Sequence, residues 1–357
     1  MKISKLYSNN DDFKTIEFDK GINFILSSNN GVGKSSLFKL IDFCLLGDKH
    51  FLGKEHFKDY IFYIELQIAA NKYITIKRPT ISGKNIELKI TKEKSILIDE
   101  KNFNIKGSIG VAKSFFENKV NYSINKFRTY ITYFLRDEAN QNDAFILNKH
   151  TSLHEIEYKT LISNLVGIDG RKIRRKYELD EIIKKEDTDA ATLKNAQSDL
   201  EKVIEENKTL ISSRFIDRLK YSVSKYGNII LNKEVNFLID FNTSNDIEFS
   251  IKVENDNLND EPTIKKLLCL IFASALAETY SQKKLIKFVA FDSPFDGDNN
   301  SYEDGVYSAI HHLNKIGIQT IVTSNENAIY NPKILLEIKN EYMTGYISND
   351  DKLMGDF

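Results

Sequence analysis

The hydrophobic pattern changes its period several times along this chain. In the first hundred residues, apolar and polar side chains alternate in short stretches, which is typical of strands with one buried face. The strands predicted from this alternation cover residues 2–7, 13–18, 60–68, 73–77, 86–90 and 96–99. Short polar turns separate the later ones, so the pattern predicts an antiparallel β ribbon next to an apolar strand at 21–26.

A charged helix is predicted from residue 171 to about 185. A second helix follows a polar turn, with Thr188 or Asp189 as its N-cap. Its apolar positions alternate spacings of three and four residues from Leu193 to Leu210, which is the seam of a coiled coil. The two helices together predict a short antiparallel hairpin, about 20–25 Å long.

The rest of the pattern predicts an α/β arrangement. Helices are predicted at residues 35–46, 112–117, 153–165, 263–280 and 302–316. Strands are predicted at residues 127–135, 228–231, 235–241, 247–253, 285–291, 317–323 and 342–347. Pro262 stands where the predicted helix at 263–280 would begin, a favoured place for proline. The strands at 285–291 and 317–323 are almost wholly apolar, as buried parallel strands are.

The composition narrows the class of protein. The 357 residues are 41% hydrophobic and 28% charged, with a formal net charge of −1, which gives no global argument for nucleic-acid binding. We expect a cytoplasmic protein, because no apolar run reaches the length of a membrane span and no secretory leader opens the chain. Cys44 and Cys269 lie in apolar helical patterns, which indicates buried thiols rather than a disulfide or a zinc site.

The clearest motif is Gly31-Val32-Gly33-Lys34-Ser35-Ser36, between the strand at 21–26 and an amphipathic helix. Such a turn directs backbone N–H groups at a phosphate, and the helix N-terminus adds partial positive charge. Lys34 would reach the β- and γ-phosphates, and the Ser35 hydroxyl would ligate Mg²⁺. Ser28 stands where the full pattern has its first glycine. The predicted nucleotide contacts are Asn30, Gly31, Val32, Gly33, Lys34, Ser35 and Ser36.

Asp292 follows the apolar strand at 285–291 and is a candidate for the second half of this site. Ligands of open α/β sheets bind at the carboxyl ends of the strands. In P-loop enzymes an acidic residue at that point holds Mg²⁺. The alternative is an aspartate that only caps a turn. The sequence therefore predicts ATP and Mg²⁺ as cofactors, with Ser35 and Asp292 as metal ligands.

The P-loop, the hairpin and the acidic strand occur in the order found in ABC-type ATPases of the SMC and RecF class, which this chain resembles. Residues 14–35 match the opening pattern of that class. The resemblance implies an α/β bilobed ABC-type ATPase head. Its parts would be a P-loop mixed sheet, an antiparallel β ribbon and a short antiparallel helical hairpin inserted between the lobes. The implied domains are an N-terminal ATPase lobe at 1–170, the hairpin at 171–215 and a C-terminal lobe at 216–357.

A closer resemblance is to the YydD-like family of bacterial ATPases, which often accompany phage-defence genes. The segments that carry it are 30–35, 40–47, 133–136, 165–169, 291–293 and 295–297. The hairpin is shorter than the arm usual in that family. The resemblance implies a cytoplasmic Mg·ATP-dependent head that forms a homodimer on ATP. It also implies signalling to partner proteins of a multi-component system for anti-phage defence or DNA-damage sensing, with no membrane.

Three positions depart from the pattern of active ABC heads. Ser293 replaces the glutamate that polarises the attacking water, so a slow ATP hydrolase would need another carboxylate. The candidates are Asp296, which we rank first, Asp298 and Glu326, although each is also typical of a turn or a surface. Lys34, Asp292 and Asp296 are thus the predicted catalytic residues.

The other two departures concern contacts with the γ-phosphate. The expected histidine after strand 317–323 is absent, and Ser324 or Asn325 would replace it. The glycine-rich signature is also absent. The Thr263 helix would instead make the contact in trans, unless it is an ordinary capped helix. Gln141 lies where such heads carry a glutamine loop, and is a candidate contact to Mg²⁺ or water against the alternative of a solvated loop residue.

DNA is a further candidate ligand, through Lys77, Arg78, Lys84 and the basic run at 171–176 at the base of the hairpin. We single out Arg78, Lys172, Arg174 and Arg175, while a solvated helix face explains the run equally well. For the whole chain two functions stay open. One is an ATPase that signals through its dimer, and the other is a nucleotide-gated switch or scaffold with negligible hydrolysis. A small-molecule kinase is disfavoured because no arginine-rich lid follows the P-loop unit.

Overall fold

The computed structural model describes most of the chain. The described residues are 1–29, 33–47, 57, 60–81, 85–95, 103, 105–120, 124–147, 153–185, 189–210, 213–242, 244, 246–254, 257–281, 286–296 and 300–348. No helix in these ranges combines the length and the apolar character needed to cross a bilayer. Cys44 and Cys269 are free and buried, as predicted, and burial raises the pKa of the Cys44 thiol to about 12 and that of Cys269 to about 11.

The first part of the chain is rich in strands. Its elements are β1 (Lys2–Ser8), β2 (Ile16–Glu17), β3 (Ile22–Ser27), α1 (Lys34–Cys44), β4 (Ile61–Ala69), β5 (Lys72–Pro79), β6 (Ile86–Thr91), β7 (Ile105–Gly107), α2 (Ile109–Val120), α3 (Ile124–Phe134) and β8 (Leu135–Arg136). Four helices follow: α4 (Glu155–Leu165), α5 (Gly170–Lys184), α6 (Ala190–Leu210) and α7 (Arg214–Leu231).

The last part returns to alternating strands and helices. Its elements are β9 (Val235–Phe241), β10 (Ile247–Val253), α8 (Pro262–Ser281), β11 (Phe288–Asp292), α9 (Glu303–Lys315), β12 (Gln319–Asn325), α10 (Pro332–Glu337) and β13 (Met343–Ile347). Short 3₁₀ turns cover Glu138–Asn140, Asn257–Asp260, Asn300–Tyr302 and Glu326–Ala328, and a π turn covers Ile338–Tyr342.

The strands form two large sheets and a hairpin. Five strands pair in parallel in the order β13-β3-β12-β11-β8, and six pair antiparallel in the order β2-β1-β4-β5-β6-β7. Strands β3 and β11 are buried along their whole length, which fits their apolar composition. The predicted antiparallel ribbon is confirmed. In place of one mixed sheet, the parallel strands form one sheet and the antiparallel strands form another. The predicted strand at 96–99 lies outside the described residues.

One buried side chain ties the two sheets together. Gln319, at the start of β12, is fully buried. Its Oε1 accepts from the Ile3 amide of β1 at 2.8 Å, and its Nε2 donates to the Ile3 and Asp19 carbonyl oxygens at 2.7 Å. Both hydrogens on Nε2 and the oxygen Oε1 are thus hydrogen-bonded, as a buried amide requires. The C-terminal part of the chain is therefore joined directly to the first strand.

The hairpin of α5 and α6 is confirmed as antiparallel. Lys172, at the start of α5, pairs with Glu206 near the end of α6 at 2.9 Å. The buried Asn207 donates to the Lys172 carbonyl oxygen at 3.4 Å. Of the two predicted caps, Asp189 accepts from the Thr192 amide at 2.9 Å, so α6 begins as the sequence indicates.

Two predicted strands were wrong. Most of 127–135 belongs to helix α3, and only Leu135 and Arg136 form a strand. The buried residues Phe127, Tyr130, Ile131 and Phe134 lie on one helical face, and this spacing outweighs the aromatic content. Residues 228–231 are the last turn of α7, which continues the buried spacing of that helix rather than starting a strand.

Two helices end in the same kind of glycine turn. Gly167 after α4 has φ 87° and Gly317 after α9 has φ 81°. In both turns the amide after the glycine donates back to a carbonyl oxygen of the last helical turn, the pattern of a Schellman motif. A Cβ atom at Gly167 would lie 2.6 Å from the Phe215 ring, whereas at Gly317 it would meet nothing within 4 Å.

These two glycines form a matched pair for a stability test. We expect Gly317→Ala to lower the free energy of unfolding by about 1–2 kcal/mol, the cost of a left-handed L-residue. Gly167→Ala should lose more, by roughly 1–3 kcal/mol, because the methyl group also crowds Phe215. Urea denaturation of both variants measures the difference. Equal losses would contradict the close approach of Phe215.

Candidate nucleotide site

The candidate site lies where three parallel strands end at one edge of the sheet. Strand β12 pairs with β3 on one side and with β11 on the other. In this register Asp292 stands opposite Thr323, and Thr323 stands opposite Ile25, two residues before the end of β3. Because neighbouring strands are about 4.8 Å apart, β3 and β11, on either side of β12, run about 10 Å apart. The structure thus brings the Lys34 loop and Asp292 to the same edge, as the sequence predicted.

Helix α1 begins at Lys34, directly after Gly33 in a left-handed conformation with φ 99°. This φ favours glycine, and no side chain caps the helix. The Lys34 ammonium donates to Ser27 Oγ at 2.8 Å and to the Asn29 carbonyl oxygen at 3.3 Å, so it lies over the end of β3. Ser35 is half-buried in the first turn.

The loop leads directly into the N-terminus of α1. Ser36 is also half-buried in the first turn of α1. The other predicted nucleotide contacts, Asn30, Gly31 and Val32, lie outside the described residues. An α-helix N-terminus leaves backbone N–H groups directed outward and carries partial positive charge. The described part of the loop therefore presents the features of a phosphate site.

Asp292 is fully buried, and its carboxylate is positioned by neighbouring elements. Its Oδ1 accepts from the Thr323 hydroxyl at 2.6 Å and from the Ser293 hydroxyl at 3.4 Å. Its Oδ2 lies 3.4 Å from the Glu138 amide nitrogen. The role of Thr323 was not predicted. Its place at the end of the strand next to Asp292 is the signal that points to it.

Gln141 contacts Asp292, but at its main-chain carbonyl group and not at its carboxylate. Its Nε2 donates to the Asp292 carbonyl oxygen at 2.7 Å and to the Arg136 carbonyl oxygen at 3.3 Å. The loop that carries it wraps around the buried Arg136 guanidinium, which donates to the carbonyl oxygens of Asn140, Asp143 and Ala144. The side-chain Nε2 of Gln141 therefore holds the loop in place. Only the side-chain Oε1 is a candidate to contact a metal ion or a water molecule.

Asp137 is a second carboxylate of the site that the sequence reasoning missed. Its pKa is raised by burial, lowered by a hydrogen bond from Asn140, raised again by the charge of Asp292 and lowered by that of Lys39, and the net shift is upward. A cation bound beside these two residues would offset the repulsion that Asp292 exerts on the charge of Asp137. The described residues contain no cluster of three or more His, Cys, Asp or Glu side chains that could hold a metal alone. Mg²⁺ typically takes one or two carboxylates plus substrate phosphates, so Asp292, Asp137 and the Ser35 hydroxyl fit it.

The chain turns sharply after Asp292. Ser293 has φ 50°, in the left-handed region, and its amide donates to the Thr323 carbonyl oxygen at 2.8 Å. The Asp296 amide then donates to the Ser293 carbonyl oxygen at 3.1 Å. This segment, Ser293 to Asp296, is called the β11 turn below. It carries the next acidic residue back towards the site.

Asp296 has the properties expected of a reactive carboxyl. Its pKa is raised by burial, and Lys266 and Lys34 partly offset the shift. Its Oδ1 is a buried oxygen with no hydrogen-bond partner among the described residues. Perturbed carboxyls of this kind cluster at functional sites. Asp296 follows Asp292 through the β11 turn, whose first and last residues are hydrogen-bonded to each other, and the charges of Lys34 and Asp292 both act on its carboxyl.

The other candidate bases are less suitable. Glu326 pairs with Lys339 at 2.7 Å and accepts from the Tyr346 hydroxyl at 2.8 Å. Hydrogen bonds to both groups lower its pKa, which weakens it as a proton acceptor. Asp298 lies outside the described residues.

Thr263, the predicted trans contact, lies half-buried in the first turn of α8. It lines a small cavity together with Lys266, Phe295 and Asp296. Asp260, just before the helix, is almost fully exposed and pairs with Lys265 at 3.2 Å. This acidic side chain therefore extends into solvent rather than over the helix N-terminus.

The two polar residues at the end of β12 keep local partners. The buried Ser324 donates to the Asn325 carbonyl oxygen at 3.1 Å. The Asn325 side chain accepts from the Asn327 amide at 3.0 Å and caps the 3₁₀ turn that follows. Both residues lie at the edge of the site, where we predicted a contact with the γ-phosphate.

Most of the basic candidates for DNA contacts have acidic partners. Lys172 pairs with Glu206 at 2.9 Å, and Arg174 and Arg175 both lie within 3.8 Å of Glu178. Such exposed pairs are weak, so these three side chains remain accessible to a stronger anion. Lys84 lies outside the described residues.

Arg78 does not fit the prediction of a DNA contact. It is 3% exposed, and its guanidinium donates to the carbonyl oxygens of Phe43 and Gly47. It also stacks on the Phe43 ring at 3.8 Å. It satisfies carbonyl oxygens at the C-terminal end of α1 from inside the protein, so it is not available for a contact with DNA.

Comparisons with known proteins agree with this geometry. A family model described as an AAA domain matches residues 5–220, more than half of the chain. No curated protein matches the sequence. Among solved structures, an Smc head bound to the C-winged helix domain of ScpA is 15% identical with a TM-score of 0.54, and the match covers 92% of this chain and 91% of that one.

A second solved structure is the Smc head domain with a coiled coil and joint derived from Pyrococcus yayanosii. It is 12% identical, with a TM-score of 0.52, and the match covers 92% of this chain and 93% of that one. At such low identity these likenesses concern the fold alone, and they confirm the predicted fold of an ABC-type ATPase head. The narrower resemblance to the YydD-like family stays a prediction.

Proposed function

The chain belongs to the AAA domain family, and from this premise we propose that it is an ATPase head that binds Mg·ATP beside Lys34. The observation that carries the proposal is the meeting of the Lys34 loop and Asp292 at one sheet edge. Lys34, Gly33 and the first turn of α1 would hold the triphosphate. Ser35, Asp292 and Asp137 would hold Mg²⁺, which when bound neutralises charge on the phosphates.

We propose slow hydrolysis, with Asp296 as the proton acceptor for the attacking water. Ser293 cannot take that part, because a hydroxyl is a poor base near neutral pH. The raised pKa of Asp296 supports this assignment, as does its Oδ1, which finds no hydrogen-bond partner in the part of the chain that the structure describes. The second candidate function is a nucleotide-gated switch with negligible turnover, and the replacement of glutamate by Ser293 favours it.

We further propose that ATP brings two copies of the chain together, with the Lys34 site of one facing the Thr263 helix of the other. The dimer would pass its state to partner proteins in the cytoplasm. From the resemblance, the setting would be a bacterial anti-phage or DNA-damage system. DNA is included as a ligand at Lys172, Arg174 and Arg175, where phosphates would replace the glutamate partners.

Phosphate release and ATP binding test the central proposal. We expect Lys34→Ala to weaken ATP binding by about 10–100-fold, because a charge-assisted contact worth roughly 1.5–3 kcal/mol is lost. Asp292→Asn should remove turnover with a smaller loss of binding. Lys194→Ala, an exposed lysine of α6, is the control and should match wild type. ATP binding without phosphate release would favour the switch, and no ATP binding by wild type would refute both.

The oligomeric state tests the proposed dimer. With a slowly hydrolysed ATP analogue, we expect the solution mass to shift from monomer to dimer. Lys34→Ala should abolish the shift, and Thr263→Ala should weaken the dimer several-fold because a hydroxyl facing the nucleotide is lost. Thr209→Ala, an exposed threonine of α6, serves as the matched control. A wild-type chain that stays monomeric with bound analogue would contradict the dimer.

Replacing Asp296 tests the assignment of the base. We expect Asp296→Asn to lower kcat for phosphate release by about 10²-fold or more, with the Kd for ATP within about threefold of wild type. Because its pKa is raised, wild-type turnover should fall with decreasing pH already above the ordinary aspartate range. Glu326→Gln is the control and should retain turnover. Full activity of Asp296→Asn would show that another group accepts the proton.

A further inference from the structure

Lys266 is a cation of the site that the sequence did not single out. It lies half-buried in the first turns of α8. Its ammonium donates to the Ser293 carbonyl oxygen and, at 2.9 Å, to the Asp296 carbonyl oxygen. These two carbonyl groups stand at the two ends of the β11 turn. One side chain from α8 therefore closes that turn.

The contact is more than a surface ion pair. Burial lowers the pKa of Lys266, and the carboxylates of Asp296, Asp292 and Glu138 offset only part of this shift. The ammonium thus lies in a partly desolvated place that faces acidic groups. Without it, two carbonyl oxygens would lose a charged donor, and desolvated acceptors are costly to leave unpaired.

The β11 turn depends on this closure. Ser293 adopts a left-handed φ of 50°, which disfavours an L-residue by about 1–2 kcal/mol. On one side the Ser293 amide is bonded to Thr323 of β12, and on the other the carbonyl oxygens are bonded to Lys266. The turn, and with it Asp296, is held between the parallel sheet and α8.

The same helical face carries Thr263. Residues three apart lie on one face of a helix, and Thr263, Lys266, Phe295 and Asp296 line one small cavity. A group bound at the N-terminus of α8 would therefore lie one helical turn from the ammonium that holds Asp296.

We propose that Lys266 is a positioning residue that fixes the β11 turn to the first turns of α8, and so couples engagement at Thr263 to the placement of the Asp296 carboxyl. This inference rests on the proposed function. In this inference Lys266 links the Thr263 end of α8 to Asp296 and does not itself touch the reacting atoms.

The test compares Lys266→Met, Lys266→Arg and Lys265→Met. Lys265 is the neighbouring lysine, paired with the exposed Asp260, and is the matched control. For each protein we would measure kcat, KM and the Kd for ATP, and the amide hydrogen exchange of residues 286–296 with and without a slowly hydrolysed ATP analogue.

We expect Lys266→Met to lower kcat at least tenfold while KM and Kd change less than threefold, and Lys266→Arg to recover most of the loss. Exchange of 286–296 should rise in Lys266→Met and lose its response to the analogue, whereas Lys265→Met should behave as wild type. Unchanged kcat and exchange in Lys266→Met would overturn the inference and leave the proposed function intact.

Two other outcomes are also decisive. If ATP binding is lost together with turnover in both Lys266 variants, the residue belongs to binding or folding, and the inference is overturned. If wild type binds ATP without turnover, the proposed hydrolysis fails. In that case the amide hydrogen exchange of residues 286–296 decides. If only Lys266→Met loses the change in exchange on adding the analogue, the coupling is supported. If Lys266→Met keeps that change, the coupling is refuted.

Discussion

The pairing of β12 with β3 and β11 is the constraint on which the site depends. Parallel strands end at a common edge, so the register alone fixes where the Lys34 loop and Asp292 meet. These residues are more than 250 positions apart in the sequence, and no local interaction could bring them together. The buried side-chain amide of Gln319 supports this arrangement, because it bonds β12 to β1 at the end of β12 that is opposite the site. A site built across the two ends of the chain therefore needs the whole head to fold.

Much of this arrangement could be predicted from the sequence. The helix that begins after Gly33, the apolar strands and the acidic strand end come from local patterns, and each occurs where it was predicted. Helix α3 was mistaken for a strand because its aromatic residues suit either structure, and only their burial on one face distinguishes the two. Arg78 looked like a surface cation because its partners are backbone carbonyl oxygens, which leave no mark in the sequence.

The residues that the sequence missed share a physical reason. Asp137, Thr323 and Lys266 gain their properties from groups far away in the chain: a second carboxylate, a neighbouring strand end and the carbonyl oxygens of a turn. A lysine in the first turns of an apolar helix is ordinary in sequence. Its significance comes from the elements packed around it.

The backbone at position 293 bears on why serine, and not glutamate, follows Asp292. In this fold, position 293 has a left-handed φ and a side chain that is 6% exposed, so a longer acidic residue there would have to be buried and strained. Three residues later Asp296 brings a carboxyl on which Lys266 and Lys34 act, and its Oδ1 has no hydrogen-bond partner within the described ranges. The strain at Ser293, of about 1–2 kcal/mol, is offset by the bonds of the turn to β12 and to Lys266. A serine at 293 and a carboxyl at 296 are thus parts of one turn, and the shift of the acidic group along the chain follows from the conformation of that turn.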